Sequence, residues 1–274
     1  MDKILIIIII LIYNFIMIVF KIKESKLKVP LKIEIFNLGS SHGEFAFNYD
    51  LLKCISGSNL ARSSQTLYYD LKVLNNYFSQ IEEGAICFIP LSYFSFSDRK
   101  YWLKEDKIRY YRTLNWNLID VKDKNEAILY KYFPLYISIL KRLKKKKKVK
   151  EGIERIKGHV KLLKCNNKEV SLNWLETIIK KLRKKNIKII LITTPFKEEY
   201  NDFFSKELLE KEFYNNINKI KEKYNLEYYD YSHRYDIFDK EEYFNDSDHL
   251  SKDGSRMFMI EISKILKIEG ESIL

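Results

Sequence analysis

Two short segments near opposite ends of the chain carry the residue types needed for serine chemistry. They read Asn-Leu-Gly-Ser-Ser-His-Gly over 37–43 and Asn-Asp-Ser-Asp-His-Leu over 245–250. A serine hydroxyl becomes a good nucleophile only when a base removes its proton, and histidine suits that task because its ordinary pKa lies near neutrality. A carboxylate beside the imidazole fixes its tautomer and stabilises the imidazolium. The sequence therefore predicts a catalytic triad of Ser41, His249 and Asp246.

Each segment also has an ordinary structural interpretation. The glycine and two serines could form a simple turn, and Asp246 and Asp248 could cap the N-terminus of a following helix. Three of the four histidines in the chain need another explanation under any hypothesis. The joint placement favours catalysis, because the serine follows a first predicted strand and the Asp-x-x-His segment precedes a last predicted helix.

The apolar pattern of the chain predicts strands that alternate with helices. Predicted strands cover 32–38, 85–90, 187–193 and 226–231, and predicted helices cover 66–78, 171–185, 203–224 and 251–266. Near-continuous apolar strands between helices indicate a parallel sheet that is covered on both faces. We therefore expect an α/β fold, a flavodoxin-like three-layer α/β/α sandwich. Ligands bind at the carboxyl ends of the strands in such sheets, which is where both segments fall.

The N-terminus carries a membrane signal. The stretch from Ile4 to Phe20 is almost continuously apolar and is interrupted only by Tyr13 and Asn14. No small-x-small cleavage site follows, which favours an uncleaved transmembrane anchor over a signal peptide, and a buried core helix is the lesser alternative. The lysines after the span would keep the rest of the chain in the cytoplasm by the positive-inside rule. The function that the family resemblance described below implies would instead place the rest of the chain outside the cytoplasm, and this is the orientation that we expect.

We expect two parts: residues 1–23 as the anchor and residues 30–274 as one α/β domain. Residues at about 98–168 fit the strand-helix pattern poorly and are rich in aromatic and basic side chains. We interpret them as an insertion that forms a lid or a substrate wall, with one or two packing helices as the alternative. The lysine run at 144–148 is expected to be a solvated surface.

The charge and the cysteines limit the choice of partners and cofactors. The formal net charge is +12, yet the basic residues are spread along the chain and no recognition motif is present, so no nucleic-acid partner is expected. Cys54, Cys87 and Cys165 are an odd number without paired spacing, which predicts neither a zinc site nor a disulfide framework. Cys87 lies in an apolar strand and is expected in the core. We expect no metal and no cofactor.

The two end segments together resemble the SGNH (GDSL-like) hydrolase superfamily. The first block of that family reads Gly-Asp-Ser; here Ser40 replaces the aspartate and Ser41 takes the place of the nucleophile. The last block, Asp-x-x-His, matches Asp246 and His249, and Leu250 and Gly254 also fit. The Gly-Ser-Ser variant is similar to the first block of the membrane-anchored D-alanyl-lipoteichoic acid biosynthesis family.

The middle blocks of the resemblance are degenerate. Residues 59–66 are similar to the second block in spacing, with Ser64 where the family has its oxyanion-hole glycine. Ser92 stands where the third block has its asparagine. The resemblance thus implies an oxyanion hole built from Ser41, Ser64 and Ser92.

The resemblance implies a membrane-anchored serine esterase or acyltransferase. Its substrate would be an acyl ester, of O-acetyl or D-alanyl type, on cell-envelope polysaccharide or teichoic acid, and its partner a membrane-bound O-acyltransferase. A catalytically inactive module on the same fold, binding polysaccharide or such a partner, is the alternative, and the missing asparagine favours it. A nucleic-acid-binding protein is the third and least favoured hypothesis.

Overall fold

The computed structural model describes residues 3–25, 27, 29–52, 55–101, 103–143, 152–165 and 167–267. Cys54, Trp102 and the lysine run at 144–148 lie outside these ranges. The chain divides into two compact units, one of Met1–Lys28 with Trp102–Val149 and one of Val29–Tyr101 with Lys150–Leu274. Of the segment expected as an insertion at about 98–168, Trp102–Val149 belongs to the first unit, and the residues on either side belong to the second.

The helices and strands follow the predicted order. The strands are β1 (Ile33–Asn37), β2 (Gly57–Asn59), β3 (Ile81–Pro90), β4 (Lys188–Thr193) and β5 (Glu227–Asp230). The helices are α1 (Lys3–Ser25), α2 (Ser41–Ala46), α3 (Leu67–Tyr77), α4 (Ile108–Thr113), α5 (Lys124–Tyr132), α6 (Pro134–Leu143), α7 (Ile153–Leu163), α8 (Glu169–Arg183), α9 (Glu198–Asn201), α10 (Lys206–Leu209), α11 (Asn215–Tyr224) and α12 (Lys252–Leu266). One π-helical turn, Glu210–Tyr214, joins α10 to α11, so the long helix predicted there is continuous but irregular.

The second unit contains a five-stranded sheet in the order β2-β1-β3-β4-β5, and all its pairs are parallel. This is the flavodoxin-like strand order, so the predicted α/β fold is confirmed. Strand β2 was not predicted, because its three residues, Gly-Ser-Asn, carry no apolar side chain.

Both faces of the sheet are covered. Ile35, Phe88 and Ile190 pack in one cluster with α12 residues such as Phe258. Side chains alternate between the two faces along a strand, and Leu191, the neighbour of Ile190, is also fully buried. Burial on both faces explains the unbroken apolar runs in β3 and β4. The core position expected for Cys87 is confirmed, since its side chain is fully buried.

The first unit is helical. Helix α1 is long and apolar enough to span a membrane over Lys3–Phe20, and none of the residues in this window is buried. The same unit contains α4, α5 and α6, all of which contact α1.

Candidate active site

A strand-turn-helix segment presents Ser41. Strand β1 ends at Asn37, and Gly39 then adopts a φ of 110°, a conformation that favours glycine. A Cβ atom on Gly39 would lie only 3.3 Å from Pro90, so the close packing of the turn also favours a residue without a side chain. The Gly39 N–H donates to the buried carboxylate of Asp70 at 2.8 Å. Ser41 is therefore the first residue of α2, at the carboxyl edge of the sheet.

Close packing and one amide side chain hold α2 in place. The Asn59 amide nitrogen donates to the carbonyl oxygens of Gly43, Glu44 and Phe47 at 3.1, 3.0 and 2.7 Å. These bonds tie the C-terminal end of the short helix to the last residue of β2. A Cβ atom on Gly43 would lie 2.9 Å from the Leu38 carbonyl oxygen, so α2 can approach the sheet this closely only with glycine there.

The segment at 245–250 forms a tight turn around the side chain of Asp246. One oxygen of this carboxylate accepts the backbone N–H groups of Asp248 and His249, at 3.1 and 3.0 Å. The helix that follows is capped by Ser251, whose hydroxyl accepts the Gly254 N–H at 3.2 Å. Asp246 therefore orders the turn that carries His249, and the capping role considered for the aspartates belongs to Ser251.

The structure brings the three predicted residues together. Ser41 Oγ lies 2.8 Å from His249 Nε2, and His249 Nδ1 lies 2.9 Å from both oxygens of Asp246. With Nδ1 donating to the carboxylate, Nε2 is free to accept the serine proton. Burial alone would raise the pKa of Asp246, but hydrogen bonds from His249 and Arg155 hold it below its ordinary value. The carboxylate is therefore ionised at neutral pH.

Arg155, on α7, joins the triad to a second carboxylate. Its guanidinium donates to Asp246 at 3.0 Å and, through its other terminal nitrogen, to Asp248. Asp248 is fully buried, whereas 39% of the Asp246 side chain is exposed. One cation thus bridges two aspartates that lie two residues apart in the chain.

A buried histidine chain runs behind the triad. His42 Nε2 lies 3.0 Å from Asp248 Oδ2, and His42 Nδ1 lies 2.6 Å from the Ser92 hydroxyl. Burial lowers the pKa of His42, so its ring is neutral; it donates to Asp248 and accepts from Ser92. The rings of His42 and His249 are 5.3 Å apart between centroids. His42, the neighbour of Ser41 in the chain, therefore supports the turn that carries His249 through Asp248.

His159, also on α7, extends this chain. Its Nδ1 lies 3.0 Å from the Tyr200 hydroxyl and 3.7 Å from Asp248. Burial lowers its pKa to about 3, so it is neutral at physiological pH. No sequence pattern pointed to Arg155 or His159, since both lie in the segment interpreted as an insertion. For His42 and Asp248, adjacency to Ser41 and His249 was the one available signal.

The expected oxyanion hole needs one correction. Ser92 is buried, its hydroxyl is bonded to His42, and its N–H donates to Ser95 at 2.8 Å. It therefore does not take over the role of an asparagine that faces substrate. Ser64 has a φ of 61°, in the left-handed region that favours glycine, and it stands where the family that the chain resembles has its oxyanion-hole glycine. Ser41 opens α2, where backbone N–H groups have no partner within the helix. Backbone N–H groups of Ser41 and Ser64 are thus the remaining donors of the predicted set.

One cluster among the described residues has the geometry of a metal site. Ligand atoms of His42, Asp248 and His249 lie within 4.8 Å of one another. However, His42 Nε2 is bonded to Asp248, and His249 Nε2 to Ser41. The Asp248 carboxylate is also already paired with the Arg155 guanidinium. These contacts fit acid–base chemistry better than metal binding.

Three solved structures illustrate what the chain resembles. A GDSL-like lipase from Bacteroides thetaiotaomicron is 12% identical with a TM-score of 0.44, and 89% of each chain is covered. A putative platelet activating factor from Streptococcus pneumonia is 15% identical with a TM-score of 0.44, covering 97% of this chain and 100% of its own. A putative GDSL-like lipase from Parabacteroides merdae is 14% identical with a TM-score of 0.42, covering 88% of this chain and 100% of its own.

No protein-family model and no curated protein matches the chain. Two of the three structures are described as GDSL-like lipases. At these identities and TM-scores the neighbours carry no argument about activity or substrate.

Proposed function

We propose that the chain is an SGNH-like serine esterase or acyltransferase that acts through Ser41, His249 and Asp246. Ser41 Oγ attacks the carbonyl carbon of an ester while His249 Nε2 takes its proton. The tetrahedral intermediate then expels the alcohol, which leaves with that proton, and an acyl-serine remains. Water or a sugar hydroxyl next attacks the acyl-serine and transfers a proton to His249, so that the second collapse restores the serine. The 2.8 Å contact between residues 208 apart is the observation that carries this proposal.

We infer that the substrate is an acyl ester, of O-acetyl or D-alanyl type, on cell-envelope polysaccharide or teichoic acid. The Phe45 side chain is 42% exposed, and its ring lies 5.1 Å from that of His249 between centroids. An exposed aromatic ring beside the base suits a sugar ring as the partner of the ester. The apolar helix α1 supports a membrane anchor. A substrate in the cell envelope would require the catalytic unit to lie outside the cytoplasm, and a membrane-bound O-acyltransferase is the partner that the resemblance suggests.

A catalytically inactive binding module is the second candidate. Its support is the engagement of Ser92 with His42, which leaves the asparagine position of the resembling family without a side-chain donor. Under this alternative the serine and histidine would remain bonded to each other but would not turn over an ester.

Hydrolysis of p-nitrophenyl acetate by the full chain in detergent tests the proposal. We expect Ser41→Ala to lower the rate at least about 10³-fold, since the nucleophile is lost. The matched control is Ser40→Ala, which alters the same turn and leaves the Ser41–His249 contact in place; it should keep most of the activity. Equal rates for Ser41→Ala and the wild type would refute the nucleophile. No turnover by the wild type of this ester, O-acetylated polysaccharide or D-alanylated teichoic acid would favour the binding module.

A further inference from the structure

Helix α1 is part of a folded helical unit. One of its polar residues, Asn14, lies inside the apolar window and bonds to the junction of α5 and α6. Its amide nitrogen donates to the Tyr132 carbonyl at 2.9 Å, and its Oδ1 accepts the Leu135 N–H at 3.4 Å. Both backbone groups belong to helix ends, where intrahelical partners are missing. Asn14 thus supplies one donor and one acceptor to a break between two helices.

The α5–α6 hairpin, residues 124–143, exposes large apolar side chains around that break. The exposed fraction is 48% for Phe133, 51% for Tyr136 and 52% for Ile139. Ile128, Leu129 and Tyr132 on α5 are exposed to similar extents. A contiguous run of such residues on a soluble surface normally marks a contact site.

The position of Asn14 along α1 sets the depth of the hairpin. Six residues separate it from Phe20, the end of the apolar window, which corresponds to about 9 Å along the helix axis at 1.5 Å per residue. Amphipathic helices at membrane surfaces bury their apolar faces about 5–10 Å deep. If Lys3–Phe20 crosses a bilayer, the junction of α5 and α6 lies within that depth range. Backbone groups at that depth need partners, which Asn14 provides.

The charged side chains around the hairpin also suit a position at the membrane–water interface. The Lys124 ammonium lies 5.5 Å from the centre of the Trp116 ring, and that of Lys131 lies 5.9 Å from the centre of the Tyr132 ring. Aromatic rings with lysines beside them are typical of the membrane–water interface, where the lysines reach the headgroups. Anionic headgroups would add favourable charge.

We propose that the α5–α6 hairpin inserts into the lipid interface beside α1 and that Asn14 holds it there. The chain would then bind the bilayer through two elements, the membrane-spanning helix α1 and the interfacial α5–α6 hairpin. This proposal rests on the membrane anchor of the proposed function. The bilayer is the proposed occupant of the exposed apolar surface of the hairpin, and the test below distinguishes it from a protein partner.

Photo-crosslinking of the full chain in vesicles of phosphatidylcholine and phosphatidylglycerol tests it. Benzoyl-phenylalanine is placed at Phe133, at Leu11 in the anchor, or at Glu207, an exposed residue of α10. We expect lipid adducts at positions 11 and 133 and none at 207. Adducts at 11 without adducts at 133 would refute the inserted hairpin, leave the anchor intact and point to a protein partner. No adduct at either position would refute the anchor as well.

A second variant tests the role of Asn14. Asn14→Leu keeps the span apolar but removes the donor and acceptor at the hairpin junction. We expect the lipid adduct at 133 to fall several-fold and the adduct at 11 to stay unchanged. An unchanged yield at both positions would contradict the proposal that Asn14 holds the hairpin in the bilayer.

Discussion

Two aspartates bound to the same arginine should have separable roles. Asp246 contacts His249 and is partly exposed, whereas Asp248 is fully buried between Arg155 and His42. We therefore predict that Asp246→Asn removes activity with little loss of stability, and that Asp248→Asn does the reverse. Each variant is the control for the other, because both replace one carboxylate of the same turn by its isosteric amide.

The exposures of the side chains set the expected sizes. The Asp248 side chain is 0% exposed and that of Arg155 is 27% exposed. Removing one partner of a buried ion pair costs about 3–5 kcal/mol, and the partial exposure of Arg155 favours the lower end, about 3 kcal/mol. The ion pair of Asp246, with 39% of its side chain exposed, is worth at most about 1 kcal/mol. Loss of the carboxylate that orients the base lowers turnover about 10⁴-fold.

Urea unfolding followed by circular dichroism, together with p-nitrophenyl acetate hydrolysis without urea, measures both effects. We expect the midpoint of unfolding to fall by about 1 M for Asp248→Asn, while its folded fraction keeps activity within about tenfold of the wild type. Asp246→Asn should unfold near the wild-type midpoint and lose turnover. A stable but inactive Asp248→Asn variant would show that Asp248 acts in catalysis and would refute this division of roles.

Two further predictions concern the packing behind the nucleophile. Burial raises the pKa of Asp70 to about 6, so the folded state favours the protonated form of this side chain. The free energy of unfolding therefore falls by about 3 kcal/mol as the pH rises from 4 to 6. Asp70→Asn, which preserves an acceptor for the Gly39 N–H, should remove that fall in urea titrations; an unchanged slope would exclude Asp70 as its source. Gly43→Ala should cost about 1–3 kcal/mol because its Cβ has no room. Gly158→Ala, with open space around it, should instead stabilise α7 by about 0.5–1 kcal/mol, and similar effects of the two variants would contradict this packing account.

The elements that carry the triad could be predicted because their signals are local. The polar–apolar alternation of β1, the apolar runs of β3 and β4 and the apolar periodicity of α3, α8 and α12 reflect burial of one or both faces, which sequence patterns record directly. The proximity of Ser41 to His249 could also be predicted, because the segments at 37–43 and 245–250 both lie at the carboxyl ends of strands in one parallel sheet.

The residues behind the triad could not be predicted for a physical reason. Arg155 reaches Asp246 and Asp248 from a helix some 90 residues away, and no local pattern encodes that contact. The oxyanion position at Ser92 was predicted from a motif, but the structure shows its hydroxyl bonded to His42. That contact depends on the tertiary placement of β3 beside α2, which the order of residues does not reveal.

The most direct test of the central claim is mass spectrometry of the full chain after treatment with a fluorophosphonate. Such a probe reacts only with a serine activated by a neighbouring base. The proposed triad predicts one adduct, located on the peptide that contains Ser41, and its loss in His249→Gln. An adduct on another serine, or labelling of Ser41 that persists in His249→Gln, would contradict the triad.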